Sequence, residues 1–189
     1  MNTPVPDDGL LFRKPSAKDG YPLHELVAAS PPLDPNSAYC NLLQCTHFAD
    51  TAVAVLQDDQ LVGFVSGYLL PNQPSTLFVW QVVIAEQARG KGLAKRMLKH
   101  LLARPACQGV RHLETTITPD NKPSWGLFRS LARDLDTQLH SRVHFERDAH
   151  FGGQHDDEHL LTLGPFNVVG DTQNDFQSRA ENSGSGPGD

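Results

Sequence analysis

Cysteine is scarce in this chain: three in 189 residues, at Cys40, Cys45 and Cys107. The number is odd and the spacings match no metal-ligand pattern, so a disulfide framework is excluded and reduced thiols are expected. Long apolar runs are missing as well, and no stretch reads as a membrane span. Met1 to Gly9 is polar and acidic, without the apolar centre of a secretory signal, so the expected location is the cytoplasm. Positive charge is in deficit, 16 Lys and Arg against 22 Asp and Glu, a formal net charge of −6. With no long basic run, that balance argues against a nucleic-acid partner. What is present is ordinary globular composition, 39% hydrophobic and 20% charged, in a length that suits one domain with a sizeable core.

The informative stretch runs from the central strand into the helix that follows it. Leu77 to Ile84, with Trp80, Val82 and Val83 inside it, reads as a buried strand of β-branched and aromatic residues. Leu93, Ala94, Met97, Leu98, Leu101 and Leu102 recur at helical spacing, opposite Lys95, Arg96, Lys99 and His100, and Pro105 follows the helix end. Between the two lies Gln87-Ala88-Arg89-Gly90-Lys91-Gly92. A strand, a glycine-bearing turn and a helix start make an anion site, because the first helical amides are unpaired and the dipole favours negative charge. Two glycines let a diphosphate approach the backbone without Cβ atoms in the way. A Walker loop needs Gly-x-x-x-x-Gly-Lys-Ser/Thr, and a Rossmann turn needs a third glycine where Lys95 stands. The pattern that fits is Gln/Arg-x-x-Gly-x-Gly/Ala, met by Gln87, Gly90 and Gly92. By itself it also fits a plain turn.

The remaining elements follow from local patterns. A short strand is expected at Leu10 to Pro15, and a helix capped by Asp19 through Val27. The proline-rich run Ser30 to Ser37 interrupts regular structure, and Ser37 caps a second helix from Ala38 to about Phe48. Strands at Thr51–Leu56 and Leu61–Tyr68 meet in a tight turn at Asp58-Asp59. Val110 to Thr116 is a strand and Asn121 to Leu131 a helix with Pro123 in its first turn. Strands at Leu135 to Phe145 and His159 to Leu163 close the series. Residues 1–9 are expected to be a flexible N-terminus and 10–165 the domain. Residues 166–189, rich in Asn, Asp, Gln, Ser and Gly, are expected to be a disordered tail.

This element order and the loop at Gln87 to Gly92 resemble the acyl-CoA-binding GCN5-related N-acetyltransferases. That resemblance implies an α/β (α+β) fold, a mixed, mostly antiparallel sheet with helices on both faces and a splay between the fourth and fifth strands. Four further stretches narrow it: Pro32 to Tyr39, Phe78 to Val82, Thr116 to Asn121, and Phe151 to Glu158. From about Phe12 to Pro165 the chain resembles the L-2,4-diaminobutyrate acetyltransferases of ectoine biosynthesis.

The resemblance implies acetyl-CoA as cosubstrate, the γ-amine of a small diamine as acceptor, no metal, and a homodimer. It places coenzyme contacts at Val82, Ile84, Gln87, Arg89, Gly90, Lys91, Gly92, Leu93, Ala94, Asn121 and Phe128, with a backbone amide of Val82 or Val83 polarising the thioester carbonyl. Many members of the superfamily carry a leaving-group Tyr where Phe128 stands, so the general acid is unassigned. Asn121 either contacts the coenzyme or simply caps its own helix.

Substrate residues implied are Asp34, Tyr39, Trp80, His155 and Glu158. Each has a plainer reading: an Asx turn at Asp34-Pro35, core packing for Tyr39 and Trp80, a solvated acidic loop for His155 to Glu158. His155, Glu158 and His159 have helical metal-ligand spacing, yet they lead into a strand and acetyl transfer needs no metal. An alkyl amine near pKa 10.4 is mostly protonated at neutral pH, by about three units or roughly 4 kcal/mol, so a base is required. Glu158 is the first candidate and Asp34 the second. Two other functions fit the same residues: acetylation of ornithine or a polyamine, and a non-catalytic acyl-CoA-binding module.

Overall fold

In the computed structural model the described residues are 9–31, 33 and 35–167. All but the last residue of the expected N-terminal arm, Asp34, and all but the first two residues of the expected tail lie outside them. Seven strands form one sheet: β1 (Leu10–Arg13), β2 (Ala52–Gln57), β3 (Gln60–Leu70), β4 (Gln73–Ile84), β5 (His112–Ile117), β6 (Leu139–Phe145) and β7 (Glu158–Leu163). Their spatial order is β1-β2-β3-β4-β5-β7-β6, with every neighbouring pair antiparallel except β4 and β5. The helices are α1 (Gly20–Ala28), α2 (Ala38–Thr46), α3 (Leu93–Leu102), α4 (Lys122–Asp134) and the short α5 (Arg147–Phe151).

Both faces of the sheet are covered, which explains the continuous apolar runs in its strands. Along β2 the burial alternates between two cores: Val53 and Val55 join Met97, Leu98 and Leu101 of α3 on one face. Ala52 and Ala54 join Leu23 and Val27 of α1, Cys45 of α2 and Phe64 of β3 on the other. The β2–β3 turn is as expected, since Asp58 and Asp59 both take positive φ, 49° and 62°, in a two-residue hairpin loop. Ser37 caps α2 by accepting the Cys40 amide at 3.1 Å.

Four expectations need correction. Asp19 does not cap α1 through its side chain; the carboxylate turns back to accept from Ser16 N at 2.7 Å and from Arg13 at 2.6 and 2.8 Å. The helix expected to end at Leu131 runs to Asp134, and β6 starts at Leu139 rather than Leu135, because Asp136 at φ 49° turns the chain between them. The helix α5 went unread because five residues are too few to show a period. Phe166, assigned to the tail, is 4% exposed in the main core, and its amide donates to Arg111 O at 2.9 Å.

Candidate active site

β4 and β5 pair over three positions only, Thr76 with His112, Leu77 with Leu113 and Phe78 with Glu114. Thr115 Oγ1 adds one bond to Val79 O at 3.0 Å, and no β4–β5 pair is formed beyond it. From Trp80 onward β4 therefore has β3 on one side and an opening on the other. A bulge sits at that point: Ser66 pairs with Gln81 and Gly67 with Val79, leaving Trp80 as the extra residue. Gly67 permits it, since a Cβ there would collide with the Phe78 carbonyl oxygen.

Two cavities flank the opening. The first, of about 410 Å³, runs past Val82, Val83 and Ile84 on β4 to Arg89, Gly90, Gly92, Leu93 and Ala94, with Pro123, Ser124 and Leu127 of α4 opposite. Gly90 and Gly92 sit at φ 76° and 70°, and no atom lies within 4 Å of where their Cβ atoms would be. Gly92 is the N-cap of α3 and offers no side chain to its first amides, which leaves them for a ligand. Arg89 braces the turn, with Nε donating to Ile84 O at 3.0 Å and Nη2 to Ser30 Oγ at 3.4 Å.

The second cavity, of about 640 Å³, is polar. Trp80 and Gln81 of β4, Thr116 and Ile117 of β5, Thr118, Asn36, Arg147, Gly153 to Asp156 and Glu158 line it. Glu158 opens β7 with its side chain 18% exposed, and its Oε1 stands 3.8 Å from His155 Nε2. His155 Nδ1 lies 2.7 Å from Asp156 O and its ring 4.7 Å from that of Phe151. The floor is tied to the proline-rich loop by Asn36 Nδ2 donating to Gln81 Oε1 at 2.9 Å. Leu33 and Asn121 line both cavities, so the two meet there. Asn121 Oδ1 accepts Ser124 N at 3.2 Å, capping α4 from within that shared wall.

Of the residues read from sequence, Trp80, His155 and Glu158 come together around the polar cavity, and Val82, Val83, Ile84, Arg89, Gly90, Gly92, Leu93, Ala94 and Asn121 around the other. Four do not. Tyr39 is 69% exposed on the outer side of α2, in neither core nor cavity. Phe128 is 2% exposed in the core, because α4 buries its 128-131-132 face and turns Ser124 and Leu127 to the cleft. Gln87 lines a separate cleft beside Arg13, Lys18 and Glu25. Lys91 points its Nζ back at Gln87 O, 3.4 Å away.

Sequence reading missed Asn36, Gln81, Thr118 and Arg147. Gln81 had a visible signal, as the lone amide in an otherwise apolar run; Arg147 had none. Glu158 and His159 are successive strand residues, and His159 packs its ring against Trp125 at 6.1 Å, so His155, Glu158 and His159 do not converge. Among the described residues no group of three or more His, Cys, Asp or Glu could hold a metal ion.

The parted parallel pair, with an amide-rich turn after β4, defines an acyl-CoA-dependent transferase architecture. A model described as the acetyltransferase (GNAT) family matches residues 21–132, and the chain belongs to that family. Within it, the chain is 57% identical over 160 residues to an L-2,4-diaminobutyric acid acetyltransferase of Methylotuvimicrobium alcaliphilum, covering 85% of this chain and 93% of the relative. To the protein of the same name from Halomonas elongata it is 52% identical, covering 83% and 82%. Among solved structures, the diaminobutyrate acetyltransferase of Paenibacillus lautus, in complex with its substrate L-2,4-diaminobutyric acid and coenzyme A, superposes with a TM-score of 0.80. Identity there is 39%, over 85% of this chain and 98% of that one.

Proposed function

We propose that this chain transfers acetyl from acetyl-CoA to the γ-amine of L-2,4-diaminobutyrate, giving N4-acetyl-L-2,4-diaminobutyrate for ectoine synthesis. The observation that carries the reading is the wall shared by the two cavities at Leu33 and Asn121. A diphosphate on the amides after Gly90 puts the acyl end of the coenzyme along Val82 and Val83, and an amine in the polar cavity can reach it there. The names of the relatives supply the acceptor.

The chain's residues divide the work as follows. Amides around Gly92 and the start of α3 take the diphosphate, and a backbone amide of Val82 or Val83 donates to the thioester oxygen as charge grows on it. Trp80 and Gln81 wall the acceptor, whose ammonium groups suit the acidic lining at Asp156 and Glu158. Glu158 takes the γ-ammonium proton, directly or through a water, and frees the lone pair for attack. Asp34 is proposed as a second carboxylate holding the substrate.

Attack is direct rather than through an acetylated cysteine. Burial pushes the Cys45 thiol up to about 12, with the Asp19 charge adding to it, and burial pushes Cys107 up to about 11. None of the three cysteines lines either cavity. The reading extends to a cytoplasmic homodimer. No helix among the described residues is long and apolar enough to cross a membrane.

The test is product analysis: release of the coenzyme thiol with a panel of amines, and mass spectrometry to locate the acetyl group. Acetyl on the γ-nitrogen of diaminobutyrate is expected. Preference for ornithine or putrescine, or binding of acetyl-CoA with no turnover of any amine, overturns the reading.

A further inference from the structure

The acids of the polar cavity answer the two ammonium groups of a diamino acid and leave its third charge unanswered. A carboxylate brought among Asp156 and Glu158 is repelled unless a cation meets it. Among the described side chains lining that cavity, Arg147 alone carries a permanent positive charge. Three basic groups on the coenzyme side already have partners. Arg89 braces the turn in the neighbouring cleft, and Lys95 and Lys99 sit 3.0 and 2.6 Å from Asp134.

The protein holds Arg147 in place through its backbone. It is the first residue of α5, and its amide donates to Asp157 Oδ1 at 2.7 Å, which ties α5 to the segment leading into β7. Its guanidinium is kept in the neighbourhood by Asp156, at 3.7 Å from Nη1 to Oδ1, beyond hydrogen-bond distance. The side chain is 57% exposed, so it can turn to an incoming anion without leaving a buried group bare. A guanidinium presents donors in a planar fork that matches both oxygens of a carboxylate.

We propose that Arg147 binds the α-carboxylate of the acceptor and so selects diamino acids over bare diamines. The inference rests on the diaminobutyrate reading given above and adds to it the group that recognises the amino-acid end. Arg147 is a binding residue here, remote from the bond that breaks.

The experiment compares L-2,4-diaminobutyrate with 1,3-diaminopropane, the same diamine without its carboxylate, in the wild type, Arg147→Gln and Arg147→Lys. Arg147→Gln is expected to raise KM for diaminobutyrate about tenfold or more, the size of a lost charge-assisted hydrogen bond, with kcat much less affected. The preference for diaminobutyrate over diaminopropane, as a ratio of kcat/KM, falls with it, and Arg147→Lys restores part of both. The KM for acetyl-CoA stays put, and kcat, which a loss of folded enzyme would lower for both acceptors alike, is largely kept. If Arg147→Gln keeps its preference, or if both acceptors suffer alike, this inference is wrong while the acceptor reading stands. A wild type inactive on diaminobutyrate overturns the acceptor reading and this inference together.

Discussion

Asn36 and Gln81, 45 residues apart, are joined by a hydrogen bond of 2.9 Å that fastens the proline-rich loop to the floor of the polar cavity. The loop is held at its other side by His24, whose Nδ1 lies 3.1 Å from Asn36 O. Position and chemistry are linked here, because the same loop carries Leu33 to the wall shared with the coenzyme cleft. Asn36→Ala should cost about 1 kcal/mol of stability, the size of one side-chain hydrogen bond. It should also raise KM for the amine several-fold, roughly what a loosened positioning contact costs, with acetyl-CoA affinity unchanged. Denaturant midpoints and thiol-release kinetics measure both. An unaltered KM would mean that the loop does not set the cavity.

Gly92 separates backbone strain from electrostatics. It sits at φ 70° with no atom within 4 Å of its would-be Cβ. Gly92→Ala therefore meets only the strain of a left-handed residue, about 1–2 kcal/mol. Gly92→Glu meets the same strain and adds bulk and negative charge where the diphosphate is expected. Calorimetry should find coenzyme A binding weakened by alanine and far more by glutamate. Equal affinities in the two variants would remove the anion site from the turn.

Asp19 gives a pH-dependent prediction. Its burial alone pushes the carboxyl up, but hydrogen bonds from Arg13 and Ser16 outweigh burial and hold it below the ordinary carboxylate range. A lowered folded value means that stabilisation is present above the unfolded pKa, near 3.9, and is lost as pH falls through the folded value. Asp19→Asn should thus be less stable than the wild type at pH 7, by about 2 kcal/mol, since its partner Arg13 is still 32% exposed. The gap should narrow below about pH 4. Urea unfolding at both pH values checks it, and a gap that is constant with pH contradicts it.

The fold was legible because its elements announce themselves locally. The Asp58-Asp59 hairpin, the Ser37 cap and the α3 stripe each carry their own signal, and the mixed sheet with its splay between the fourth and fifth strands followed from the resemblance to a family. The glycine turn after β4, proposed here for the coenzyme, was legible for the same reason, being contiguous in sequence. The acceptor cavity was harder, since it gathers Asn36, Trp80, Gln81, Thr116, Arg147 and Glu158 from five separate segments. Trp80 shows why: its exposure of 42% depends on a bulge opposite Gly67, a cross-strand relation no local pattern reveals. Phe128 failed for the opposite reason, because the helical stripe that predicted α4 could not say which side faced the cleft.

Glu158 closes the argument about chemistry. It stands at the start of β7 with its side chain 18% exposed and His155 Nε2 at 3.8 Å from Oε1, in the cavity that meets the coenzyme cleft. Glu158→Gln keeps the shape and removes the charge that would accept a proton. Turnover should drop by about 10²–10⁴, the contribution of a positioned general base. Acetyl-CoA should bind as before, because no residue of its cleft has changed. Raising the pH should recover part of the loss, since a larger fraction of the amine then arrives unprotonated and needs no base. Thiol release measured from pH 7 to pH 10 tests this. A variant with wild-type turnover at pH 7, or one whose deficit is the same at every pH, would mean that the proton leaves by another group.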